Sequence, residues 1–370
     1  MTSLFYELVQ VAIGIRTILS YTPSAADWYA AYAQSKKQAI VGISFYGIHR
    51  IYLVSPEQTL NLSEQMKLKW MAETLVVQRR NETLNYQCGQ LQDEFRKSDF
   101  QSTILKGQGV ASYYNKDISG FRQSGDIDIW VKGSWREVMT YVNSRTPNRE
   151  FDNKHTHYQC FHNTIVEVHW WPSTTVNPLY KRAVQSYYRE QAPIQCAHQV
   201  TLFNGVQICA PDSKFEAIHV LNHIYNHFLY EGVGLRQFMD LYFVLVNGHL
   251  NDADRKDILS TAKRVGLASF VPAVMWVLSY VFLMPDKFCI GSKEEKLGSV
   301  LLKEIEDGGN FGVYSKENQV IDESFSHRMM RRLQRRVRLI RFNPVGVFFS
   351  PFTKICTLIW KSRIIKKYNL

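Results

Sequence analysis

The stretch GDIDIWV, residues 125–131, decides how this chain is read. Asp126 and Asp128 stand one residue apart, and Ile127, Ile129 and Val131 alternate with them. In a strand, residues i and i+2 project from one face, about 6–7 Å apart. The two carboxylates therefore point one way while the aliphatic side chains face a core. Adjacent anions on one face repel and raise each other's pKa, so a fold that keeps them needs a compensating cation. Short, hard carboxylates at this spacing suit Mg2+, which takes oxygen ligands and shares its shell with substrate phosphates. The alternative is a solvent-facing strand edge that carries two charges.

Two neighbouring stretches extend the pattern. ILKGQGVASYY, residues 104–114, reads as a strand that ends at Lys106-Gly107-Gln108-Gly109 and is followed by a helix. A glycine turn that opens a helix lets backbone N–H groups approach phosphate oxygens, and Lys106 adds a point charge. An ordinary tight turn is the other reading. IVEVHWW, residues 165–171, places Glu167 and His169 on one face and Val166, Val168 and Trp170 on the other. A strand that sets Glu167 opposite the aspartates would complete a three-carboxylate, two-metal cluster, which clamps the attacking and leaving oxygens of a phosphoryl displacement. His169 either orients a substrate group, acts as a base, or is a hydrogen-bonded structural histidine.

Around this centre the periodicity changes. Residues 1–100 carry apolar side chains at three and four spacing and read as helical. Residues 101–205 hold short period-two runs, one helical stretch, and a turn at FHNT, residues 161–164, between two strands. Residues 206–305 return to helix, starting at Pro211-Asp212-Ser213. Residues 306–370 are a polar loop and a basic tail. The expected architecture is α+β: a small mixed-sheet core flanked by N-terminal and C-terminal helical regions. Within the second helical block His219, His223 and His227 recur every fourth residue and share a face, for metal, packing or substrate. Arg236 and Asp240, also four apart, read as an intrahelical ion pair or as cleft-lining groups.

The bulk composition narrows the class. The 370 residues are 45% hydrophobic and 13% aromatic, enough for a sizeable core, which excludes a disordered chain. A net charge of +11 favours an anionic partner such as a nucleotide, nucleic acid or acidic lipid. Seven arginines and no acid lie between Arg328 and Arg341. The stripe Met329, Met330, Leu333, Val337 and Ile340 makes this a basic amphipathic helix, able to lie on anionic lipid, bind nucleic acid or dock on the protein. Six scattered cysteines without a C-x-x-C pair give no zinc or disulfide framework and fit reduced thiols in the cytosol. The N-terminal stretch reads as a first amphipathic helix, not a signal peptide. Phe270–Met284 is too short for a spanning helix, which needs about 20 residues, and reads as a core helix. Val345–Trp360, interrupted by Pro351 and Lys354, reads as interfacial at most.

The order of glycine turn and helix, paired aspartates in a strand and a lone acid in a later strand resembles the nucleotidyltransferase superfamily related to DNA polymerase β. A closer resemblance is to a bacterial group of nucleotidyltransferase family proteins, carried by LKGQGVASYY, FRQSGDIDIWV, the EVHW strand and HIYNHFLYEGVGLRQFMDL, over roughly residues 40–300. The chain departs from the superfamily at Gln108, where Ser or Gly is usual, and in the longer gap from Gly107 to Asp126; the closer group shares that gap. The resemblance implies that Asp126, Asp128 and Glu167 hold two Mg2+ ions. It also implies that Lys106, Gly107 and Gly109 meet the phosphates of an NTP. Arg122, in the longer gap, is expected at the γ-phosphate or else as a surface arginine, and His169 beside the nucleotide. The implied reaction is transfer of NMP from an NTP to an acceptor with release of pyrophosphate. The acceptor is a small molecule or glycan precursor, with a link to surface polysaccharide assembly, or a protein or tRNA as in toxin-type relatives. The third reading is a non-catalytic nucleotide-binding or membrane-peripheral scaffold. The expected place is the cytoplasm, with the tail at the inner face of the membrane.

Overall fold

A computed structural model describes residues 3–146, 150–175, 177–315, 330, 334–335, 337–345, 348–349 and 359–365. Helices α1 (Leu4–Ala12), α2 (Ala25–Lys37), α3 (Val41–Val54) and α4 (Glu64–Lys97) precede the first strand. Their starts are written in local chemistry. Ser24 accepts from the Asp27 N–H while Asp27 accepts from the Ser24 N–H, a reciprocal cap, and Ser63 caps α4. Helices α1 and α3 cross closely because Gly47 has no side chain; a Cβ there would stand 2.2 Å from the Leu8 carbonyl oxygen.

The 34 residues of α4 span about 51 Å at 1.5 Å per residue, and the helix joins two cores. Met66 and Trp70 belong to the helical core, whereas Leu84, Cys88, Leu91 and Phe95 pack under the sheet.

The sheet region runs β1 (Ser102–Leu105), α5 (Gly107–Ala111), α6 (Lys116–Ser119), β2 (Ile127–Val131), α7 (Trp135–Arg145), β3 (His155–His157) and β4 (Val166–His169). Strand order is β1-β2-β4-β3, with β1 antiparallel to β2, β2 parallel to β4, and β3 antiparallel to β4. The parallel β2–β4 pair needs a crossover, which α7 supplies. Ile127, Ile129, Val131, Val166 and Val168 face α4 and α7 in a common apolar cluster. The expected hairpin is present, with Phe161 bridging Thr164. Its first strand pairs at His155–His157, whereas the period-two pattern places that strand at HYQCF, residues 157–161. Helix α8 (Lys181–Gln195) and the hairpin β5 (Gln199–Thr201) to β6 (Gln207–Cys209) follow.

Helices α9 (Ser213–Tyr230), α10 (Leu235–Asn247), α11 (Asp252–Arg264), α12 (Val271–Phe282) and α13 (Glu295–Gly308) build the remaining bulk, α9 being capped by Asp212 on the Phe215 N–H at 2.9 Å. Helix α12 is a buried core helix, and among the described residues no helix is long and apolar enough to cross a membrane. These helices share one core with α1–α3. Gln10 on α1, for example, donates to the Val281 carbonyl at 2.8 Å. The described parts of the tail dock here too. Leu339 and Phe342 are buried, Phe342 lies 4.9 Å from the Phe228 ring, and Arg335 pairs with Glu304 at 3.1 Å. The expected apolar stripe has the wrong phase: Met330, Val337 and Ile340 are exposed, while Met329 and Leu333 lie outside the described residues. Most of Val345–Trp360 also lies outside them.

The α1–α3 crossing gives a direct test. Gly47→Ala should lower the free energy of unfolding by about 1–3 kcal/mol, the usual cost of overpacking, read from the denaturant midpoint. An unchanged midpoint would contradict the close approach at Leu8.

Candidate active site

The site begins where β1 stops. Lys106 takes φ +47° and Gly107 φ +30°, a left-handed turn that swings the chain from strand into α5. Gly109 keeps α5 against the strand end, because a Cβ there would lie 2.3 Å from the Ile104 carbonyl oxygen. Gln108 is buried and donates to Asn85 on α4. The turn aims Lys106 into the sheet face, where its Nζ meets Asp128 Oδ1 at 2.7 Å.

Strand register sets the rest. Asp128 pairs with Leu105 on one side and Glu167 on the other, Trp130 pairs with His169, and Glu167 and His169 pair with His157 and His155 on β3. Residues opposite each other in neighbouring strands share a face, so one face carries Lys106, Asp128, Glu167, His169, His155 and His157. His169 is fully buried. Its Nε2 lies 2.8 Å from Asp128 Oδ1 and 3.2 Å from Glu167 Oε2, and its Nδ1 lies 3.2 Å from the Trp171 carbonyl. His155 Nδ1 stands 3.3 Å from Glu167 Oε2, and His157 Nε2 3.9 Å from Glu167 Oε1. Asp126, just before β2, is exposed at the rim.

The charges are strongly coupled. Burial would raise the Asp128 carboxyl, but Lys106 and His169 outweigh it and hold Asp128 well below its ordinary value. Burial would likewise raise Glu167, yet the His169 hydrogen bond carries it down to about 2. Burial opposes charge on His169, and the hydrogen bonds to Asp128 and Glu167 raise it nonetheless. His155 is pushed the other way, to about 4, by burial and by the neighbouring His169. Asp126 is exposed, yet the surrounding protein and then Asp128 push its carboxyl up. Asp128 and Glu167 are cross-strand neighbours on this face, and Asp126 stands two residues before Asp128 at its exposed edge.

Of the residues singled out in the sequence, Asp126, Asp128, Glu167, Lys106, Gly107 and His169 come together here. Three expectations change, those for Arg122, for the Arg236–Asp240 pair and for His169. Arg122 is neither at the surface nor free for a γ-phosphate. It is 4% exposed and bound two-pronged to Asp240, Nε to Oδ1 and Nη2 to Oδ2, both at 2.7 Å, with Nη1 donating to Ser124 at 2.8 Å. Asp240 therefore pairs across the fold with Arg122, and not along its own helix with Arg236. Gly109 is buried and its missing side chain serves packing against β1. His169 has both ring nitrogens engaged and no exposed surface, so it holds Asp128 and Glu167 and does not reach out to a substrate.

Several contributing residues were invisible as motifs. The loop before Asp126 is gripped from two helices: Asn81 donates to the Gly120 and Arg122 carbonyls at 2.7 and 2.6 Å, Arg80 to Gly125 at 3.0 Å, and Arg236 to Gln123 at 2.6 Å. Arg236 Nε has no hydrogen-bond partner, its guanidinium lies 5.5 Å over the Phe311 ring, and burial and then Arg122 lower its pKa to about 10. Phe311 sits at φ +54° on a loop pressed against Gly232 and Gly234, 4.9 Å from His227. Of the histidine row, His219 is buried. His223 faces the site, held well below its usual pKa by burial, then His227 and Lys106.

The chain belongs to the family described as uncharacterised nucleotidyltransferase, whose sequence model matches residues 24–282. Among solved structures it is similar to an antigenic nucleotidyltransferase-like protein from Paracoccidioides brasiliensis, at 13% identity over 58% of this chain and 95% of that one, with a TM-score of 0.31. No curated protein matches the chain significantly.

The Arg122–Asp240 pair yields a second test. Arg122→Met should cost about 3–5 kcal/mol of stability, because it strands a buried carboxylate, and Arg122→Lys should recover only part of that, since an ammonium cannot make the two-pronged contact. Urea unfolding of the two variants measures both. A loss below about 1 kcal/mol in Arg122→Met would contradict the buried pair.

Proposed function

We propose that this chain is a Mg2+-dependent nucleotidyltransferase that moves NMP from an NTP to an acceptor hydroxyl or phosphate and releases pyrophosphate. The observation that carries the reading is the register: Asp128 and Glu167 are cross-strand neighbours on one face, with Asp126 at the wet rim and Lys106 beside them. Asp126, Asp128 and Glu167 would hold two Mg2+ ions, which supply charge neutralisation at the phosphates and make a bound acceptor oxygen more nucleophilic. The chain's own groups do the positioning. Lys106 and the Gly107 N–H face the phosphates from the turn, and Arg236 stands at the loop before Asp126 with an unused N–H. His169 fixes the orientation of Asp128 and Glu167 and leaves the reaction itself to the substrates. The acceptor oxygen attacks the α-phosphorus, the bond to the bridging oxygen breaks, pyrophosphate leaves with that electron pair, and the acceptor proton passes to water. Catalysis of this kind is orientation plus electrostatics.

We favour a small molecule or glycan precursor as acceptor. The basic tail and the exposed Met330, Val337 and Ile340 support peripheral contact with an anionic membrane, where such precursors are assembled.

The decisive experiment is pyrophosphate release from each of the four NTPs with Mg2+ or Mn2+, with cell extract as acceptor source. Asp126→Asn should cut release at least about a hundredfold with little change in melting temperature, since Asp126 is exposed. Asp128→Asn should abolish release and also destabilise the fold, because it leaves Lys106 and His169 without their shared carboxylate. Release that survives in both variants, or none from any NTP with wild-type protein, would overturn the reading. Arg236→Met should raise KM for the NTP about tenfold and change kcat little. An unchanged KM would remove Arg236 from the nucleotide side.

A further inference from the structure

The histidines beside Glu167 form a feature that nucleotidyl transfer does not use. His155 and His169 are register partners on β3 and β4, and Glu167 lies one step along the same face. One ligand atom from each of the three lies within 4.8 Å of the others. Three details separate this group from a hydrogen-bonded cluster.

First, His155 Nδ1 is buried and has no hydrogen-bond partner, although Glu167 Oε2 is only 3.3 Å away and Asp152 Oδ1 3.8 Å away. Two polar atoms at van der Waals contact without hydrogen-bond geometry are costly unless something sits between them. Second, the Trp171 carbonyl can only accept, so His169 Nδ1 carries a hydrogen, while Nε2, which donates to Asp128 and Glu167 when no ion is bound, would release that hydrogen to hold one. A metal-bound imidazole has this arrangement, with its far N–H tied to a carbonyl. Third, the two separations to Glu167 match. Donors about 2.0–2.1 Å from a tetrahedral ion are about 3.3 Å from one another. The His169 Nε2–Glu167 Oε2 and His155 Nδ1–Glu167 Oε2 separations are 3.2 and 3.3 Å.

The geometry points to a transition-metal site held by His155 Nδ1, His169 Nε2 and a Glu167 oxygen, open on the side that faces Asp128. Two imidazoles and one carboxylate favour Zn2+, Co2+ or a related first-row ion, whereas Mg2+ prefers oxygen alone. The site abuts the Asp126–Asp128 acids and shares Glu167 with them. Its occupancy requires no nucleotide, so it stands or falls apart from the transfer reaction.

Cobalt binding tests it directly. Full-length protein stripped with chelator and titrated with Co2+, without nucleotide, should develop the visible absorption of nitrogen-ligated, low-coordinate Co2+, saturating at equimolar metal. Zn2+ should displace it and excess Mg2+ should not. His155→Ala should weaken Co2+ binding by more than about tenfold, while Asp126→Ala should leave it in place. An identical Co2+ titration in wild type and a folded His155→Ala would overturn the proposal, as would displacement by Mg2+ as ready as by Zn2+. Should His155→Ala fail to fold, anomalous scattering from wild-type crystals grown with Zn2+ decides. A peak between His155, His169 and Glu167 supports the site, and a peak only at Asp126 and Asp128, or none, refutes it. Pyrophosphate release enters none of these readouts.

Discussion

Asp128 is a carboxylate buried to 4% exposure in the middle of a four-stranded sheet, and the site is organised by what that demands. Removing a charge from water costs several kcal/mol unless it is paired and hydrogen-bonded. Asp128 meets the demand with Lys106 from one neighbouring strand end and His169 from the strand on the other side. Each partner imposes a condition on the backbone. Lys106 reaches the carboxylate because the chain takes a left-handed turn there, and that turn in turn needs Gly107 and the close approach of Gly109 to β1. His169 reaches it because β4 runs parallel to β2 in one register and no other; a slip of one residue would send His169 to the apolar face.

The loop before Asp126 explains why so much helix surrounds so small a sheet. Gly120 to Gly125 makes few bonds within itself. Its carbonyls are taken by Asn81 and Arg80 from α4 and by Arg236 from α10, and Arg122 anchors it to Asp240, which also accepts from Tyr114 at 2.7 Å. The first and last helical regions therefore both fix the direction in which Asp126 points. Buried two-pronged ion pairs of this sort add little net stability over an apolar pair of equal volume, but they penalise every other arrangement of the loop.

The sequence made the alternating pattern legible, because period-two burial is a local property: Asp126 with Asp128 and Glu167 with His169 could be placed on shared faces without any knowledge of the fold. The mixed character of the sheet region and the core nature of Phe270–Met284 were legible for the same reason. Long-range pairing was not. Arg122 and Asp240 are 118 residues apart, and the four-residue spacing of Arg236 and Asp240 offered a closer partner that burial overruled. His155 escaped notice because the hairpin's first strand begins two residues earlier than the run HYQCF, residues 157–161, suggested, which brings His155 as well as His157 beside β4. The tail's apolar stripe was misphased since helical periodicity gives a face but cannot say which neighbour covers it; Leu339 and Phe342, off that stripe, found the cavity near Phe228 and Phe270.

The same packing fixes how a ligand can reach the acids. At one end of the face Trp130 stacks on Phe215 of α9 at 5.7 Å and closes the sheet against the helix. His169 behind it has no exposed surface, whereas Glu167 retains about a fifth of its side-chain surface and Asp126 more. Among the described residues the acids therefore meet solvent at the Asp126–Glu167 edge. Further along, Phe311 is held beneath Arg236 by a backbone conformation that costs energy to keep. A strained residue survives only where its surroundings over-determine it. Here the determinants are two glycines, Gly232 and Gly234, whose hydrogens alone fit against Gly312 and Asn310. Gly232 and Gly234 thus fix where Phe311 sits, and Phe311 supports the guanidinium of Arg236, which in turn holds the Gln123 carbonyl in the loop that leads to Asp126.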